Sequence, residues 1–155
     1  MQRIIPQRKH FKISLPKFLI IVVMIQVLIA MGLFKTKFWI GNIKGEKQIE
    51  LEGYVDTGAT YSIIPKEILE KLGIRRSRRI TVKGICCTKT VDVGDALFKV
   101  KIDNETIEGI SSVVFGDDPE VIILGSHALE ALGLEVDPIN KKLRKAEYIA
   151  MFYFG

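Results

Sequence analysis

Residues 54–65 (Tyr54-Val55-Asp56-Thr57-Gly58-Ala59-Thr60-Tyr61-Ser62-Ile63-Ile64-Pro65) constrain the chain more than any other stretch. An apolar run leads into one carboxylate, a glycine turn follows, and a second apolar run ends on proline. Asp56 cannot cap the apolar strand behind it, and it sits where the chain must double back. That is a poor position for a purely structural acid. The remainder of the chain reads as what is needed to hold this carboxylate opposite a second one.

The flanking pattern is that of strands. Phe38-Trp39-Ile40 leads to a Gly41-Asn42 turn, and Ile49-Glu50-Leu51-Glu52 alternates with period two before Gly53-Tyr54-Val55. Residues 66–72 predict a short helix, with Pro65 at its start and Gly73 at its end. Residues 80–92 predict a hairpin with Gly84 near its tip. Strands follow at 96–102, 106–110 and 111–115, then a loop at Gly116-Asp117-Asp118-Pro119. Val121 to Leu124 is a buried strand ending on Gly125. Ser126 is placed to cap a second short helix over 127–132, closed by Gly133. Leu134 to Pro138, Leu143 and a last apolar strand around Tyr148–Phe154 complete the run. Many short strands and two short helices predict one all-β domain over residues 35–155. Leu69-Glu70-Lys71-Leu72-Gly73-Ile74 also matches Leu129-Glu130-Ala131-Leu132-Gly133-Leu134, which points to two pseudo-symmetric halves, only one bringing an acid.

Ahead of this domain lie a basic segment, residues 1–17, and an uncharged run, residues 18–34. The 17 residues from Phe18 to Phe34 would make a helix about 26 Å long, close to a bilayer's hydrocarbon thickness. The expectation is a single-pass membrane anchor. Two other readings stay open: a buried helix or strand pair, or translation starting at Met31, which would leave a soluble cytoplasmic domain. Charge follows the same division. Residues 1–31 carry five bases and no acid, and the other 18 bases meet all 18 acids. The net charge of +5 thus belongs to the leader, which argues against a nucleic-acid partner for the neutral domain. Cys86 and Cys87 are the only cysteines and are adjacent, so neither a disulfide framework nor a zinc spacing exists. His10 and His127 lie in different segments. No metal or cofactor is expected.

Val55-Asp56-Thr57-Gly58-Ala59-Thr60, with Ile63-Ile64-Pro65 behind it, resembles the active-site signature of retropepsin-like aspartic proteases. Ile122-Ile123-Leu124-Gly125, followed by Leu129 to Pro138, resembles the second signature of that family, 67 residues on when counted from Gly58 to Gly125. The resemblance covers about residues 32–150 and implies a closed acid-protease barrel. It implies Asp56 as the catalytic residue, with Thr57, Gly58 and Ala59 supporting it, and Ile123, Leu124 and Gly125 threading beside the loop. The 80–92 hairpin falls where the family keeps its flap, so Gly84, Ile85, Cys86 and Cys87 would form the flap tip. Its sequence departs from the family there.

Such proteases attack a peptide carbonyl with water held between two carboxylates, one ionised and one protonated. One chain supplies one Asp-Thr-Gly, so the resemblance implies a homodimer with Asp56 from each copy on a two-fold axis. Thr57 would bond across that axis. Ala59, where two-lobed relatives carry serine, removes a hydrogen bond to the carboxylate and implies an optimum nearer neutral pH. The expected activity is aspartic endopeptidase. The alternative is an inactive domain of this fold serving as a membrane-anchored dimerisation or peptide-binding module. The other acids, Asp92, Asp95, Asp117, Asp118 and Asp137, read as turn or surface residues. Arg75, Arg76, Arg78 and Arg79 read as a solvated link or as a substrate-facing or phosphate-facing patch.

Overall fold

A computed structural model describes residues 16–30 and 33–147 of the chain. It divides into two units, Met1–Met31 and Gly32–Gly155. In the first, helix α1 runs from Lys17–Ala30, and Pro16 O accepts the N–H groups of Leu19 and Ile20 at 2.9 and 3.3 Å. Phe18, Leu19, Ile20, Ile21, Val23 and Met24 are all exposed apolar residues on it. At 14 residues it is about 21 Å long. Among the described residues no helix is long and apolar enough to cross a membrane.

The expected helix over 18–34 is therefore corrected at its far end. Leu33 and Phe34 are not helical. Phe34 belongs to the second unit, where its carbonyl accepts the Val55 N–H at 3.0 Å and its side chain packs against the core. Most of the basic leader, residues 1–15, and the strand expected around Tyr148–Phe154 lie outside the described residues.

The second unit runs β1 (Lys35–Gly41), β2 (Gln48–Asp56), β3 (Ser62–Pro65), α2 (Lys66–Lys71), β4 (Arg78–Lys83), β5 (Thr88–Ile102), β6 (Glu105–Gly116), β7 (Ile123–Gly125), α3 (Ser126–Leu132), β8 (Leu134–Asp137) and β9 (Lys142–Lys145). Six strands form a ring in the order β1-β2-β7-β3-β6-β5. Trp39, Ile40 and Gly41 pair with Lys99, Phe98 and Leu97 to close it. This is an all-β closed barrel carrying two short helices. β4 lies outside the ring on the free side of β5, and β8 and β9 form a separate hairpin. Alternate positions of the strands fill the core, with Phe38, Ile40, Val55, Ile64, Phe98 and Leu124 almost wholly buried. The Phe38 and Phe98 rings stack at 6.2 Å, and each such side chain contributes about 1.5–3 kcal/mol on burial.

The internal repeat has a local structural counterpart. Gly73 N–H donates to Glu70 O and Gly133 N–H to Glu130 O, both at 3.0 Å, and both glycines have positive φ, 73° and 65°. Each helix thus ends in the left-handed conformation that glycine adopts without a Cβ clash. Three sequence readings change. Ser126 does not cap α3: Gly125 occupies the cap position without a side-chain bond, and Ser126 Oγ points to Thr60 O at 3.5 Å. The second arm of the hairpin read at 80–92 and the strand read at 96–102 are one strand, β5, in which Gly94 admits the Arg75 carbonyl, which a Cβ would meet at 2.4 Å. The strands read at 106–110 and 111–115 likewise merge into β6.

Candidate active site

The strand order brings Asp56 to its place. β2 and the three-residue β7 pair in parallel with Tyr54, Val55 and Asp56 opposite Ile123, Leu124 and Gly125. β7 also meets β3 through Ile63 and Ile123. The two stretches singled out in the sequence therefore lie side by side, and the Asp56 loop leaves the sheet beside Gly125.

Asp56 is half-buried, and Thr57 and Gly58 are exposed. Gly58 N–H donates to Asp56 Oδ1 at 2.9 Å, and Ala59 N–H to Asp56 O at 3.2 Å. The carboxylate thus holds its own turn. The loop is fixed from behind as well. Ala59 O accepts the Ser126 N–H at 2.8 Å and Thr60 O the His127 N–H at 3.1 Å, so the first residues of α3 grip the loop. Gly125 N–H donates to the fully buried Ser62 Oγ at 3.0 Å. A Cβ on Gly125 would stand 2.6 Å from Tyr61 C, 2.7 Å from Tyr61 O and 2.8 Å from Ala59 O. Only glycine fits between strand and loop. Ser62 was the residue sequence reasoning passed over; one hydroxyl at the head of an apolar strand was the available signal.

A cleft of about 620 Å³ opens beside the loop. Its walls are the loop from Gly58 to Tyr61, the β4–β5 hairpin, and the end of β6 with Asp117. Asp56 does not itself line the cleft; it is tied to Gly58, which does. The hairpin has a four-residue tip closed by Gly84 N–H donating to Cys87 O at 2.8 Å. Of the expected flap residues, Gly84 lines the cleft, while Ile85, Cys86 and Cys87 are exposed at the tip and do not. Both cysteines are free thiols with Sγ atoms 3.1 Å apart. Their mutual hydrogen bond raises the Cys87 pKa. Among the described residues no group of three or more His, Cys, Asp or Glu side chains could hold a metal ion.

The other acids are occupied. Asp92 accepts Arg79 Nε at 2.9 Å and Arg76 Nε at 3.2 Å, and the Arg79 bond leads in lowering its pKa. Asp137 is bonded by Asn140 Nδ2 at 2.8 Å and by the N–H groups of Ile139 and Asn140, which makes it a turn residue. Asp95 accepts Ser112 Oγ at 2.9 Å, and Arg78 reaches the same hydroxyl.

Residues 41–131 match the family described as "gag-polyprotein putative aspartyl protease". No curated protein matches. Similar solved structures include the simian foamy virus (mac) protease in solution, 21% identical at a TM-score of 0.39. That alignment covers 61% of this chain and 92% of the other. They also include EIAV protease complexed with the inhibitor HBY-793, 25% identical at a TM-score of 0.40, over 67% of this chain and 91% of the other.

Proposed function

The chain belongs to the gag-polyprotein aspartyl protease family, within the retropepsin-like aspartic proteases, and on that premise we propose that it is an aspartic endopeptidase working as a homodimer. The observation that carries the reading is the Asp56 loop: one carboxylate, held by Gly58 N–H, gripped by α3 and backed by Gly125, at the side of a roofed cleft. A chain with a single such loop needs a second copy to complete a dyad. The exposed Thr57 and Gly58 suit a face that meets that copy.

In the dimer the two Asp56 carboxylates share one proton, because like charges that close resist joint ionisation. The ionised member takes a proton from the water lying between them, and that water attacks the peptide carbonyl. The protonated member hydrogen-bonds the carbonyl oxygen as its charge develops. The amide nitrogen then leaves with a proton from the dyad. Gly58 keeps the floor open for the substrate backbone, and the β4–β5 hairpin roofs the cleft. Asp56→Asn should abolish peptide hydrolysis while fold and dimer persist. Undiminished cleavage by pure Asp56→Ala protein would refute the reading, and a strictly monomeric wild type would favour a binding module.

The leader enters the same proposal as an anchor. The uncharged run beginning at Phe18 and the exposed apolar side chains of α1 support membrane attachment, which would raise local concentration and favour dimerisation. Equal specific activity of residues 31–155 and the full chain at low concentration would remove that role.

A further inference from the structure

Paired residues of an antiparallel hairpin share a face. Ile80 lies opposite Val91 and Val82 opposite Lys89, so these four form one face, and all four line the cleft. Lys89 is the charged member of this apolar roof. Its Nζ forms a close ion pair with Asp117 Oδ2, and Asp117 Oδ1 also takes Lys66 Nζ at 3.5 Å. Bonding to Lys89 first, then Lys66, lowers the Asp117 pKa, so it is a carboxylate at neutral pH.

The cleft does not end there. A second hollow of about 260 Å³ shares Val91, Phe115 and Asp117 with it and continues past Lys66, Arg76 and Arg79. Along this path Lys66, Arg76, Arg79, Lys83 and Lys89 face three carboxylates: Asp92, Asp117 and Glu70, the last bonded to Arg76 at 2.7 Å. The surplus is two positive charges. It is also uneven in kind. Asp117 is already bonded by two lysines, whereas Lys89 has one acid and Lys83, exposed on the cleft, has no ion-pair partner among the described residues. A basic group arriving here meets a saturated carboxylate. An acidic group meets ammonium groups with bonds to spare, and taking Lys89 from Asp117 leaves Asp117 still held by Lys66.

We propose that the peptide substrate carries an acidic side chain near an apolar one that packs under Ile80, Val82 and Val91, and that Lys89 is the specificity-determining residue for it. This rests on the proteolytic reading above and gives it a substrate class. The pairs are solvent-exposed, so the selection is modest: about threefold in kcat/KM for acid over neutral, fading at high salt.

The test uses the full-length protein and peptides that differ only by Glu, Gln or Lys at successive positions flanking one large apolar residue, with kcat/KM read by mass spectrometry. Glu should exceed Gln, and Gln exceed Lys, at one position or more. Lys89→Gln should level the series there and Lys89→Glu invert it, while Asp117→Asn, which frees Lys89, should steepen it. Equal rates for Glu, Gln and Lys at every position overturn this inference alone, as does a preference that survives Lys89→Glu. Saturable oligonucleotide binding lost in Lys89→Glu, with no peptide preference, also overturns it. Failure of the wild type to cut any peptide overturns the proteolytic reading and this one with it.

Discussion

Gly125→Ala puts the clamp behind the Asp56 loop to a quantitative test. Gly125 has φ −91° and ψ 175°, a conformation open to any residue, so the substitution carries no backbone strain of its own. Its whole cost is crowding: a Cβ 2.6–2.8 Å from three backbone atoms of Tyr61 and Ala59, none of which can rotate away. Overpacking of this kind costs about 1–3 kcal/mol. Relief requires the loop and β7 to separate. That strains the bond from Gly125 N–H to buried Ser62 Oγ, and a buried donor left unsatisfied costs about 1–3 kcal/mol more. Together these give about 2–6 kcal/mol, against the roughly 5–15 kcal/mol that holds an ordinary domain folded. With a urea slope of about 2 kcal/mol/M, the unfolding midpoint should fall by about 1–3 M. Displacement of the loop by about 1 Å should lower peptide hydrolysis about 100-fold. Gly73→Ala is the control, with φ at +73° and nothing within 4 Å of the added Cβ. It should cost about 1–2 kcal/mol through backbone strain alone and spare activity. A Gly125→Ala protein with the wild-type midpoint and rate would refute the clamp.

Two further predictions concern titratable groups. Asp92, Asp117 and Asp137 all have lowered pKa values, held down first by Arg79, Lys89 and Asn140 respectively. Their contribution is therefore complete above the ordinary carboxylate value of 3.8 and is lost as pH falls through the lower folded values. The stability gap between wild type and Asp137→Asn, read by urea unfolding, should narrow below about pH 4, near the reference carboxylate pKa; a constant gap would count against the assignment. At the hairpin tip, Cys86→Ala removes the hydrogen bond that raises the Cys87 pKa. Alkylation of Cys87 by iodoacetamide at neutral pH should then quicken, and an unchanged rate would show the thiols to be independent.

The parts of this molecule legible in the sequence are those written in short stretches. Asp56-Thr57-Gly58 announces its turn by chemistry alone, Pro65 and Gly73 bracket α2, and Ile123-Leu124-Gly125 marks the strand beside the loop. Closure of the barrel was not written locally. Trp39–Gly41 meets Leu97–Lys99 because the sheet twists through the intervening strands, and no periodicity reports that. The break expected between residues 92 and 96 contains Gly94, which instead keeps the strand continuous and admits a carbonyl from elsewhere in the fold. Phe34 looked like the end of an apolar helix because composition cannot separate a lipid-facing residue from one that packs on a barrel. The Lys89–Asp117 pair needed both the hairpin register and the path of the loop after β6.

The brevity of β7 bears on when the protein becomes competent. Its three residues pair across long stretches of sequence: Gly125 bonds to Ser62 across 63 positions, and Ser126, the first residue of α3, reaches Thr60 across 66. Such contacts close late, because loop entropy must be overcome before they are rewarded. During synthesis the Asp56 turn emerges from the ribosome long before Gly125 and the first turn of α3. A nascent chain halted before Gly125 holds the acid and the turn it bonds locally, but not the strand and helix that grip that turn from behind. On the proteolytic reading, the fold would thereby delay its chemistry by topology, until most of the domain has been made.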